Sequence, residues 1–177
     1  MRIFAAIPVS PAIHPAISQA AGHLRDCLGV RLLPPADWHL TLRFIGDVDE
    51  AQAGQVSGAL SSVRFAPFAI RLSGAGAYPS TAFPRAIYIG GESEGAAELA
   101  KKVEAALAPF HLQNERFSVH ITVARSKGAG DIDAFLKNTG EIGSFDVKSF
   151  VLMKSKPLPQ GTAYEVLNEY PAQAPPG

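Results

Sequence analysis

Trp38-His39-Leu40-Thr41-Leu42-Arg43-Phe44-Ile45 alternates polar and apolar side chains, with His39, Thr41 and Arg43 set opposite Leu40, Leu42 and Phe44. In a β-strand residues i and i+2 share a face, so the segment reads as a half-buried strand with one apolar face and one face carrying chemistry. The same order of histidine, aliphatic, threonine, aliphatic returns at His120-Ile121-Thr122-Val123. With five histidines and five threonines in 177 residues, chance supplies on the order of 0.1 His-x-Thr pairs. Two of them, with matched aliphatic neighbours, indicate one motif used twice.

Working outward, the surroundings repeat as well. A strand is expected over 2–9, ended by Ser10 and Pro11 as N-cap and first residue of a helix reaching Gly29. Ile13, Ile17, Ala20, Leu24 and Leu28 recur every three or four residues and would form its buried stripe. After the 38–45 strand, Gly46-Asp47 turns the chain, a helix follows over 50–63 and a strand over 65–72. The stretch 74–84, rich in Gly, Pro, Ser and Ala, reads as a long connection. A strand over 86–90, a helix over 94–110, a strand over 116–125, a short helix over 131–138 and a strand over 145–154 come next. Pro157 and Gly161 bracket a turn before a last strand over 162–168.

Strand, helix, strand, helix, strand thus occurs twice, near 2–72 and 86–154, an internal duplication within one two-lobed domain of residues 1–170. Each copy alone has too small a core, so the expected class is α+β, two pseudo-symmetric lobes packed with equivalent surfaces facing one another. The Pro-rich tail 171–177 is expected to be mobile.

Hydrophobic residues make up 47% and charged residues 18% of the chain, which excludes a disordered protein. Lys plus Arg and Asp plus Glu both total 16, so no net positive field drives binding along a long nucleic acid, and any phosphate site must be local. Cys27 stands alone and is expected to act as a small core residue. No apolar run approaches the roughly 18 residues of a membrane span. The segment 3–9, broken by Pro8, does not read as an export signal, so a cytoplasmic monomer is expected by default.

If a pseudo-twofold axis relates the copies, two imidazoles and two hydroxyls converge across a cleft. Opening a phosphodiester needs one group to take a proton from water and another to give one to the leaving oxygen, and two histidines suit this near neutral pH. Thr41 and Thr122 would donate to the nonbridging oxygens, with Arg125 as the best nearby cation and Arg43 behind it. Neither motif holds a carboxylate or thiolate, so no metal site and no cofactor are expected. A purely structural role, hydrogen bonding across a sheet, would suit one isolated His-x-Thr pair better than a matched two. His14, His23 and His111 lack the motif and read as surface or capping residues.

Trp38-His39-Leu40-Thr41-Leu42-Arg43-Phe44-Ile45-Gly46 and His120-Ile121-Thr122-Val123-Ala124-Arg125 resemble the signatures of bacterial and archaeal RNA 2′,3′-cyclic phosphodiesterases, the two-histidine phosphoesterases historically called 2′-5′ RNA ligases. Arg2-Ile3-Phe4-Ala5-Ala6-Ile7, Phe83-Pro84-Arg85 and Ile87-Tyr88-Ile89-Gly90 extend the resemblance over about residues 1–168, with Tyr88 standing where members often carry tryptophan. The resemblance implies two lobes of antiparallel sheet flanked by helices, with the active cleft between them. It implies hydrolysis of RNA 2′,3′-cyclic phosphate ends to 2′-phosphates, with His39 as general acid and His120 as general base. It further implies, for some members, reversible 2′-5′ joining of tRNA halves. Three alternatives remain beside it: a cyclic phosphodiesterase of small nucleotides, an enzyme for 2′-5′ oligoadenylate, and a binding module whose histidines only hold phosphate.

Overall fold

The structure, a computed structural model, describes residues 1–173. The apolar run after Arg2 forms strand β1 (Arg2–Pro8), which is buried along its length because it is paired on both sides. Strands β3 (His39–Asp47) and β8 (Ser149–Leu158) flank it, and β9 (Gly161–Pro171) closes a four-stranded antiparallel sheet of order β3-β1-β8-β9. A second antiparallel sheet has the order β2-β6-β5-β4-β7. Its members are β2 (Val30–Leu32), β4 (Phe68–Pro79), β5 (Pro84–Glu92), β6 (His120–Ser126) and β7 (Glu141–Val147). The fold is therefore α+β, as expected.

Four helices back the sheets: α1 (His14–Ala21), α2 (Glu50–Leu60), α3 (Glu94–Ala106) and α4 (Asp133–Asn138). Helix α2 starts where Asp49 and Gln52 form a reciprocal capping box, satisfying backbone N–H groups that have no partner inside the helix. Ile17, Val56, Leu60, Leu99, Val103 and Phe135 of the helices join one face of each sheet in a single core, to which the two histidine strands give Leu40, Leu42, Ile121 and Val123. On the other face of the first sheet Phe4, Ala6, Val151 and Met153 form a separate small cluster with Tyr164 against it. Period-two alternation along β1 thus divides Ile3, Ala5 and Ile7 from Phe4 and Ala6, and the latter pair faces the cleft.

The two sequence copies do not each build a lobe. The elements run β1-α1-β3-α2-β4 and β5-α3-β6-α4-β8, but β4 pairs with β5 and β8 pairs with β1, so each copy gives its third strand to the other sheet. The expected strand over 145–154 is in fact two strands in different sheets, β7 and β8, and the chain crosses over at Lys148.

Two further expectations are corrected. The helix to Gly29 stops at Ala21 and passes through a single 3-10 turn, because the chain must reverse to lay β2 along β6. Gly29 makes the bend at φ 77°, and Leu28, expected on the buried stripe, is 89% exposed. The connection 74–84 is instead mostly strand: β4 continues to Pro79, carrying Tyr78, and takes up the extra residues in a bulge between Leu72 and Ala75. Around the start of the expected tail the chain is bonded to the rest of the fold. Tyr170 is buried and stacked on Phe150, Ala172 N–H donates to the Lys148 carbonyl at 2.7 Å, and Gln173 N–H donates to that of Phe65 at 2.9 Å. The remainder of that expected tail, 174–177, lies outside the described residues. Among the described residues no helix is long and apolar enough to cross a membrane.

Candidate active site

The two motif strands come together between the sheets, β3 at the edge of one and β6 beside the short edge strand β2 of the other. Over their first six residues they share one burial pattern: His and Thr half-buried, the two aliphatics and the following residue buried, the sixth exposed. Both depart from strict alternation at the same place. Thr41 and Arg43 face Ala6 and Ala5, leaving Leu42 as the extra residue of a bulge, and Thr122 and Ala124 face Tyr88 and Ile87, leaving Val123 as the counterpart. A bulge shifts every later side chain to the other face.

That shift decides the two arginines. Alternation would set Arg43 beside His39 and Thr41, but the bulge turns it inward, where it is 6% exposed, donates to the Gln113 carbonyl and pairs with Glu115 at 3.6 Å. Arg43, expected as a phosphate ligand, is thus buried and paired, and it does not line the cavity that holds both histidines. The same shift brings Arg125 out to the cleft, and in the other copy the equivalent position is Phe44. His39, Thr41, His120, Thr122 and Arg125 line one cavity of about 480 Å³, together with Arg2, Phe4, Asp37, Phe44, Tyr78 and Tyr164.

Both imidazoles are held in the same way. His39 Nδ1 lies 2.8 Å from the carbonyl oxygen of Asp37, and His120 Nδ1 lies 3.2 Å from that of Ser118, in each case the residue two before it. A carbonyl only accepts, so Nδ1 carries the proton in both neutral rings and Nε2 is left as the basic nitrogen. Ser118 Oγ adds a second contact to His120 Nδ1 at 3.0 Å, and Tyr78 Oη stands 3.1 Å from that hydroxyl. His39 sits between the rings of Phe4 and Tyr164, each 5.0 Å away, and His120 between those of Tyr78 at 5.2 Å and Tyr88 at 5.4 Å.

These aromatic walls exclude water and penalise the imidazolium. Burial pushes the pKa of His39 down to about 4, against the bond to the Asp37 carbonyl and with help from the charges of Arg125 and His120. His120 is also lowered, by burial first, while the Ser118 carbonyl and Glu115 pull the other way. Both rings are neutral in the empty cleft near pH 7. Among the described residues no three His, Cys, Asp or Glu side chains gather where they could hold a metal ion.

Sequence reasoning missed the walls. Tyr78 lay in a stretch read as connection, Tyr164 is distant in the chain, and Phe4 becomes a cleft residue only once β1 is known to be central. The other histidines stay apart from the site. His14 Nε2 lies 3.2 Å from the Val9 carbonyl oxygen beside Trp38, and His23 and His111 are exposed.

Known proteins resemble this chain in sequence and in fold. The family described as LigT like phosphoesterase matches residues 7–88 and 90–164, which include both motifs. The chain belongs to that family. An Archaeoglobus fulgidus RNA 2′,3′-cyclic phosphodiesterase is 32% identical to this phosphoesterase over 96% of the chain and 99% of its own length. One from Aeropyrum pernix is 38% identical over 84% of the chain and 93% of its own length. The crystal structure of a Thermus thermophilus protein superposes on the phosphoesterase with a TM-score of 0.85 at 27% identity, covering 97% of each chain. Escherichia coli LigT, solved with 3′-AMP, shares the fold with a TM-score of 0.81 at 24% identity over 98% of each chain.

Proposed function

We propose that this cyclic phosphodiesterase opens the 2′,3′-cyclic phosphate ends of RNA to 2′-phosphomonoesters, using His39 and His120 as its acid/base pair and no metal. Its class is that of the relatives at 32% and 38% identity, both named RNA 2′,3′-cyclic phosphodiesterase. The observation that carries the mechanism is the doubled site, two imidazoles with the same tautomer and two threonine hydroxyls lining one cleft. Water attacks phosphorus as one histidine Nε2 takes its proton. The bond from phosphorus to O3′ breaks as the other histidine, protonated on Nε2 beside the bound anionic phosphate, delivers that proton to O3′, leaving a 3′-hydroxyl and a 2′-phosphate. Thr41, Thr122 and Arg125 donate to the nonbridging oxygens as their charge grows. With an RNA 5′-hydroxyl in place of water as the attacking group, the same step would join tRNA halves through a 2′-5′ bond, and its reverse would cleave that bond.

The family resemblance makes His39 the acid and His120 the base. One observation favours the opposite assignment in the free protein: Glu115 supports a proton on His120, and no carboxylate does so for His39. A substrate with sulfur in place of O3′ separates the two, because the thiolate leaves without a proton. It should rescue His39→Ala far more than His120→Ala if His39 is the acid, and the reverse if the roles are exchanged. Wild-type protein in EDTA should convert an oligonucleotide 2′,3′-cyclic phosphate to the 2′-phosphate, read by phosphorus NMR. Binding without product would leave a phosphate-holding module, and activity restored only by added metal would overturn the metal-free mechanism.

A further inference from the structure

Arg31 of β2 and Arg125 of β6 are directly opposed in the antiparallel ladder. Val30 and Leu32 pack on the core, which leaves Arg31 projecting to the exposed side, where Arg125 also emerges. Directly opposed residues have Cβ atoms about 5 Å apart, and like charges in that position repel. Among the described residues neither guanidinium has a salt-bridge partner, whereas Arg43, Arg71 and Lys156 each pair with a carboxylate. Two arginines without a salt bridge thus stand side by side, and one of them, Arg125, lines the cleft.

The path of Arg31 adds a second observation. Its guanidinium reaches from the β2 edge of one sheet to the β8–β9 turn of the other, lying so close to Gly161 that a Cβ there would stand 3.1 Å from Nη1. Gly161, at φ 147°, is both a turn residue and the surface this side chain rests on. Among the described residues the one acidic side chain lining that cavity is Asp37, close enough for Arg31 to favour its charge but outside salt-bridge distance, and burial raises its pKa. Of the opposed pair, Arg125 lines the cavity that holds both histidines, and Arg31 stands directly beside it.

We propose that Arg31 binds the phosphodiester on the 5′ side of the terminal nucleotide while Arg125 holds the reacting cyclic phosphate. The opposed pair then reads two phosphates one nucleotide apart and selects an RNA end over a free cyclic mononucleotide. The inference rests on the cyclic phosphodiesterase reading and specifies its substrate. Repulsion between the two arginines in the empty protein is relieved when both phosphates arrive, and this favours a ligand carrying two charges over one carrying a single charge.

The test compares a dinucleotide ending in a 2′,3′-cyclic phosphate with the corresponding cyclic mononucleotide, in wild type and in Arg31→Gln. The ratio of kcat/KM for the dinucleotide to that for the mononucleotide should fall about tenfold or more in the variant, with the change in KM. The salt dependence of dinucleotide turnover should flatten by the equivalent of one phosphate contact. An unchanged ratio, or an equal loss on both substrates, would overturn the assignment of Arg31. Kd values for the two 2′-phosphate products give the same ratio without turnover. Failure of wild type to turn over either substrate would thus count against the proposed reaction, and failure of the Kd ratio against Arg31.

Discussion

Lowering the pH should expose the desolvation of His39 as a loss of stability. An unfolded chain protonates this histidine near its ordinary pKa of 6.5, whereas the folded protein resists until about 4. Between these values the unfolded state holds more protons, so stability falls as pH falls through that window. It is fully present above about 6.5 and changes no further below about 4. The gap of about 2.5 units, at about 1.36 kcal/mol per unit, corresponds to roughly 3 kcal/mol. Other groups titrate in the same range, so the comparison is with His39→Gln, which keeps a polar side chain there but cannot titrate. Urea unfolding in steps from about pH 8 to about pH 4 should show wild type losing roughly 3 kcal/mol relative to the variant, about 5 to 12 °C in relative Tm for a chain of this size. Parallel curves would refute the claim that the Phe4 and Tyr164 walls keep His39 dry. A wild type that gained on the variant toward acid would reverse its sign.

Removing either imidazole, as His39→Ala or His120→Ala, should lower kcat at least about a hundredfold with circular dichroism unchanged; near-normal turnover would remove that residue from the chemistry. Thr41→Val and Thr122→Val keep the branched shape and lose one donor each, so losses of about tenfold to several hundredfold are expected with Tm intact. Lower melting with normal kinetics would make them structural. The two arginines should separate cleanly. Arg125→Gln should lose turnover at constant stability. Arg43→Met should lose about 1 to 3 kcal/mol in urea unfolding by stranding the Gln113 carbonyl, with little effect on kcat. A pH profile of kcat/KM, which reports the free protein, should have its acid limb below pH 6.5 because both histidine pKa values are lowered. A limb at or above 6.5 would contradict the aromatic walls around both rings.

Sequence alone was enough to set His39 with Thr41 and His120 with Thr122 on one face of a strand each, because i and i+2 coincide in any strand whatever its neighbours do. It also gave the starts of α2 and α3, whose capping residues Asp49 and Ser93 act within one turn. The doubled order of elements was legible for the same reason, since periodicity and capping are local. Tertiary structure decided what depends on which strand lies alongside which. The bulges at Leu42 and Val123 exist only in the register of β3 against β1 and of β6 against β5. They alone bury Arg43 and bring out Arg125, a reversal that no pattern within either strand contains. The exchange of β4 and β8 between the sheets, and the rings of Phe4, Tyr164, Tyr78 and Tyr88 around the two imidazoles, join residues far apart in the chain. Hydrogen bonds across a sheet fix a side chain's face through its partner strand, and the identity of that partner is not written in the strand itself.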